Sequence, residues 1–143
     1  MRYQNVQFWS ECQLVTLWNA YRFHGKKPPE LKSWKYALIA IDAGGVYGAC
    51  LHANREARRL RLKSIPGRWS LVWVRKNLPV GFTLFTKHRG YHNVLCVDVR
   101  GDKLLLANYA HGRLYWLPWK NVKKMKSLGK VPLSIQLKRK CKC

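Results

Sequence analysis

The segment GYHNVLCVDVRGDKLLLANYAHG, residues 90–112, constrains the fold of this chain more than any other. Residues 92–99 alternate, with Val94, Cys96 and Asp98 on one side, and Gly101–Asp102 is a hairpin signal leading into a second strand over residues 103–109. Two strands joined by so short a turn are antiparallel, and the turn fixes their register. In that register His92, which opens one strand, and Asn108, which closes the next, are cross-strand neighbours with side chains on one face. Alone, such a histidine reads as a cap on a backbone group. Beside a thiol it reads differently. The amide oxygen would accept from one ring nitrogen and fix the tautomer, and the other nitrogen would take a proton from the nucleophile.

A thiol is supplied by QFWSECQLVTLWNAYRFHG, residues 7–25. Ser10 is an N-cap residue, and Gln13 three positions on completes the capping-box pattern. Leu14, Val15, Leu17, Trp18 and Tyr21 recur at helical spacing, and Gly25 followed by two lysines and two prolines ends the helix. A helix over Glu11–Phe23 therefore carries Cys12 in its first turn. There the unpaired N–H groups and the positive end of the dipole favour a thiolate. The competing reading is a small buried hydrophobe, the usual fate of a free cysteine.

Around these two segments the expected order is helices first and strands afterwards. Residues 31–41 and the arginine-rich 53–62 read as a second and a third helix. Residues 68–77, RWSLVWVRKN, fit a strand or a short helix starting at Ser70, and periodicity does not separate them. Strands follow at 80–87, 92–99, 103–109 and 112–117, then a short helix opened by Pro118 and a last strand within 131–137. The class is α+β, with N-terminal helices packed on an antiparallel β-sheet. Residues 1–137 form one domain, and 138–143 are a basic Lys/Cys tail.

The chain resembles the papain-like cysteine peptidases, and most of all the branch that includes the bacteriocin leader (double-glycine) peptidases. The resemblance rests on Gln7, on Cys12 opening a helix that ends in YRFHG, and on GYH opening the alternating strand VLCVDV. Asn108 closes the next strand, and LPVGFTLFTKHRGYHNV looks like the family's approach to its histidine. It spans residues 4 to 126 and implies a thiol peptidase without a cofactor. Cys12 would be the nucleophile, His92 the base and Asn108 the orienter. Gln7 would be the oxyanion donor with Gln4 in reserve, and His111 the reserve orienter. The sequence departs from the family at Gln13, where a glycine is usual, and in the spacing of Gln7 to the cysteine. Asp98 lies six residues along an extended strand from His92, about 20 Å away, too far to serve.

Charge points to a second kind of partner. Lys and Arg number 28 against six acids, a net charge of +22. Such a surface attracts polyanions, either nucleic acid or an anionic envelope polymer. Arg55, Arg58, Arg59 and Arg61, with Lys138, Arg139 and Lys140, are the candidate contacts. Five cysteines without C-x-x-C spacing indicate neither a zinc site nor a disulfide scaffold, so no metal is expected. The opening residues show no signal segment and no run is long enough to span a membrane, which places the expected residence in the cytoplasm or in a phage particle. Besides the peptidase, two alternatives follow. One is a peptidoglycan-cleaving endopeptidase on the same fold. The other is a non-enzymatic nucleic-acid-binding or virion-associated protein.

Overall fold

A computed structural model describes residues 3, 12–27, 60–87, 90–110, 113–126 and 131–138. Its elements are α1 (Cys12–Phe23), β1 (Leu60–Ser64), α2 (Leu71–Lys76), β2 (Val80–Thr86), β3 (Gly90–Arg100), β4 (Lys103–Ala110), β5 (Arg113–Pro118), α3 (Trp119–Lys124) and β6 (Leu133–Leu137). The strands form one antiparallel sheet in the order β1-β6-β2-β3-β4-β5, so the class is α+β as the sequence indicates.

The hairpin around Gly101 has the expected register at its turn, with Arg100 opposite Lys103 and Val99 opposite Leu104. Gly101 sits at φ 58°, in the left-handed region where a Cβ is costly. Helix α1 ends as predicted at Gly25, φ 70°, with the Lys26 N–H bonded back to the Tyr21 carbonyl at 3.0 Å. Within residues 68–77 the helical reading holds, over Leu71–Lys76. Ser70 caps α2 by accepting from the Trp73 N–H at 3.3 Å. Ser70→Ala should therefore cost about 1 kcal/mol in a urea melt.

Two expectations need correction or fall outside the described residues. The end of the predicted third helix is strand. Leu60, Arg61 and Leu62 pair with β6, and their alternation of buried, exposed and half-buried positions suits a ladder. An arginine-rich helical propensity loses here to a partner strand that buries Leu60. The predicted second helix lies outside the described residues.

The sheet is covered on both sides. On one, Leu17, Ala20 and Tyr21 of α1 pack on Leu95, Val97, Ala107, Leu60 and Ile135. On the other, Val74 of α2 and Val122 of α3 close over Phe82, Leu84, Val94, Cys96, Leu104 and Leu106. Trp69 and Trp119 flank Phe82 with ring centroids 5.6 and 6.4 Å away, so these tryptophans serve the core. The carbonyls of the turn before β2 are met from β6. Gln136 donates to Leu78 O at 2.9 Å and Ser134 to Asn77 O at 2.7 Å. Among the described residues, no helix is long and apolar enough to cross a membrane.

Candidate active site

Helix α1 presents its first residue, Cys12, at one end of β3, with 5% of its surface exposed. Thr16 one turn later donates its hydroxyl to the Cys12 carbonyl at 2.8 Å. This bond engages the first turn from within and helps set where the thiol stands.

The strand that meets the thiol carries two buried polar residues in succession, His92 and Asn93. Adjacent residues of a strand point to opposite sides, and these two have different partners. Asn93 lies opposite Thr83 in the β2–β3 ladder, and the Thr83 hydroxyl donates to Asn93 Oδ1 at 2.7 Å. With its oxygen so held, the amide aims Nδ2 at the nucleophile, 3.4 Å from Cys12 Sγ. His92 lies opposite Leu84 and reaches toward β4, where its Nε2 meets the main-chain carbonyl of Asn108. A carbonyl only accepts, so Nε2 carries the hydrogen. In the neutral ring Nδ1 is then the basic nitrogen.

Here the geometry differs from the sequence expectation. His92 and Asn108 do meet, but through the carbonyl of Asn108 and not as a laddered pair of side chains. The cause is local. Asn108 has φ 69°, the register of β4 against β5 shifts between Leu106 and Ala110, and the pairing of β4 with β3 runs only as far as Leu95–Ala107. Where the strands part, the Asn108 amide donates to the Asn93 carbonyl at 3.2 Å. A side chain thus stands in for a ladder N–H. Cys12, Asn93, His92 and Asn108 are each at most 5% exposed, and hydrogen bonds link them at one end of the sheet.

The other candidates drawn from the sequence divide by where they fall. Gln7, Gln4 and His111 lie outside the described residues, as do Arg55, Arg58, Arg59, Arg139 and Lys140. Arg61 on β1 and Lys138 just after β6 are exposed at the same end of the β1–β6 pair. His24, just beyond α1, ties that helix to the sheet, its Nε2 2.9 Å from the Ile135 carbonyl. Among the described residues, no three His, Cys, Asp or Glu gather as metal ligands would. Asn93 and Thr83 are functional candidates that the sequence alone does not single out. Their signal is a polar residue within an apolar alternation, which becomes informative only once β2 is in register.

The second described thiol contrasts with the first. Burial pushes Cys96 far above the usual thiol range, and the nearby Asp98 charge adds to this. It therefore stays protonated through the neutral range, since a raised value means the thiol form persists as pH rises. Iodoacetamide at pH 8 should leave Cys96 unmodified in the native protein and label it after denaturation, as read by peptide mapping.

The fold is that of papain-like peptidase domains of the double-glycine type. Two solved structures are similar over nearly the whole chain. The peptidase domain of Streptococcus ComA, a bi-functional ABC transporter involved in a quorum-sensing pathway, aligns with TM-score 0.70 and 8% identity over 94% of this chain and 96% of that one. A double-glycine motif protease from an AMS/PCAT transporter, solved in complex with the leader peptide, gives TM-score 0.67 and 17% identity over 95% and 91%. At the level of sequence, no family model and no curated protein matches the chain.

Proposed function

We propose that the chain is a cysteine peptidase that hydrolyses peptide bonds through an acyl-enzyme on Cys12. The observation that supports this most is the run of buried hydrogen bonds that leads from the helix-N-terminal thiol through Asn93 to Asn108 and on to a histidine whose tautomer the Asn108 carbonyl sets. His92 Nδ1 takes the thiol proton directly or through one water, the reach over which general bases act. The sulfur attacks the peptide carbonyl carbon and the C=O electron pair moves to oxygen. The oxyanion is stabilised by the Cys12 N–H and the side-chain amide of Gln7, or of Gln4. Collapse breaks the C–N bond and the imidazolium proton leaves with the amine. His92 then deprotonates a water that releases the acyl group and restores the thiol.

The similar protease was solved with its leader peptide, so a peptide containing a Gly-Gly pair is the first substrate to offer this chain. A chloromethyl ketone made on a Gly-Gly peptide should add one equivalent to Cys12 at pH 6.5, located by mass spectrometry. Label spread over the other cysteines with none on Cys12 would overturn the reading. Preference for a cross-linked stem peptide over the Gly-Gly peptide would move the substrate to peptidoglycan.

A polyanion contact accompanies this reading, supported by the near absence of compensating acids. Asp98 and Asp102 are the only acids among the described residues, and Asp98 pairs at 3.3 Å with the exposed Arg100. The Arg100 guanidinium also lies 5.3 Å from the ring of the exposed Trp116. Binding to an oligonucleotide, followed by anisotropy, should weaken steeply from 50 to 200 mM salt (about the range over which phosphate contacts are lost), while labelling of Cys12 stays level.

A further inference from the structure

We propose that Asn93 is a catalytic residue of this site: its amide N–H donates to the Cys12 sulfur and stabilises the anion that attacks, and Thr83 is the positioning residue that aims it. The inference rests on the peptidase reading above and adds a donor to it.

Three observations carry it. The Nδ2–Sγ separation of 3.4 Å is within the range of a hydrogen bond to sulfur, and the contact is buried, where such a bond is not diluted by water. The amide is also held at its other end. Its oxygen accepts from the Thr83 hydroxyl at 2.7 Å, which leaves the NH2 end facing the thiol. Finally, the pair is built by register, since Thr83 and Asn93 are direct cross-strand partners.

The chemistry follows from charge. An amide N–H aimed at sulfur is a stronger partner for a thiolate than for a thiol, so it favours the ionised nucleophile. Asn93 is neutral and cannot take the proton. His92, beside the exposed Tyr91, is a titratable side chain that β3 brings to the same end of the sheet. The division of labour is therefore distinct, with the imidazole moving the proton and the amide holding the charge left behind. When sulfur becomes acylated the amide loses its anion, so the donor acts on attack and on departure of the acyl group.

The test is the pH dependence of iodoacetamide labelling at Cys12, followed by mass spectrometry in the full chain. Asn93→Leu, close in size and without a donor, should move the midpoint of the profile upward by about one pH unit. Thr83→Val should move it in the same direction by less, and Thr83→Ser, which keeps the hydroxyl, should restore it. A merely structural role would lower the melting temperature of both Asn93→Leu and Thr83→Val and leave the midpoint in place, and that result overturns the proposal. Since Asn93→Leu alters a buried site, the Thr83→Val and Thr83→Ser pair keeps the test decisive if that variant does not fold. His92→Ala separates this from the peptidase reading. Loss of low-pH labelling in His92→Ala with an unmoved Thr83→Val midpoint sinks the donor alone. A moved Thr83→Val midpoint with His92→Ala labelling like the wild type keeps the donor and sinks the peptidase.

Discussion

His92→Ala should lower kcat/KM for a Gly-Gly peptide by about 10²–10⁴-fold, the usual share of a positioned acid–base group. In the proposed mechanism both halves of the reaction need the ring, first to accept the thiol proton and then to deliver it to the leaving amine. Its tautomer suits the work. The Asn108 carbonyl takes the Nε2 hydrogen, and Nδ1 is the nitrogen that can receive one. The substitution removes a ring that is 1% exposed, so some stability is lost with it. His24→Ala is the matched control. That ring also bonds a main-chain carbonyl, Ile135 O at 2.9 Å, but between α1 and β6. His24→Ala should reduce the melting temperature and leave kcat/KM within a small factor. Equal rates for the wild type and His92→Ala, measured with folded protein, would remove His92 from the chemistry.

The sequence makes this ring easy to find and its surroundings hard to foresee. Alternation over 92–99, the Gly101–Asp102 turn and the helical spacing that follows Cys12 are all local signals, and they survive into the structure at α1, β3 and β4, while the Ser10 cap lies outside the described residues. Asn108 is legible as a residue close to His92. Its mode of contact is not, because a left-handed φ at an asparagine in an apolar strand has no periodic signature. The same limit hides Asn93. Its meaning depends on Thr83, ten residues away on another strand, and on a helix 81 residues earlier. The strand at Leu60–Ser64 reads as helix for a related reason. Its partner, β6, comes near the end of the chain and sits between β1 and β2 in the sheet. Pairings that distant follow from burial of Leu60 and Ile135 on the α1 side, and composition around 53–62 carries no trace of them.

Asn108→Ala and Asn108→Gly should part company, and their difference tells how the imidazole is oriented. In a site oriented by the asparagine side chain, both variants lose the acceptor and fall together. In this structure the acceptor is the main-chain carbonyl, and both variants retain one. What differs is the cost of placing it. Asn108 holds φ 69°, a region that alanine enters at about 1–2 kcal/mol and glycine enters freely. Alanine relieves that strain by relaxing toward an extended backbone, which carries the carbonyl away from Nε2 and lets the ring turn. A misplacement of about 1 Å in a reacting group costs on the order of 10²-fold in rate. Glycine keeps the turn and gives up the amide bond to the Asn93 carbonyl, about 1 kcal/mol. The expected order of kcat/KM is therefore wild type, then Asn108→Gly within about tenfold of it, then Asn108→Ala about 10²-fold down. A glycine variant as slow as the alanine variant would return the orienting role to the side chain. A glycine variant that keeps its rate assigns it to the strained backbone, where β4 parts from β3 beside the histidine.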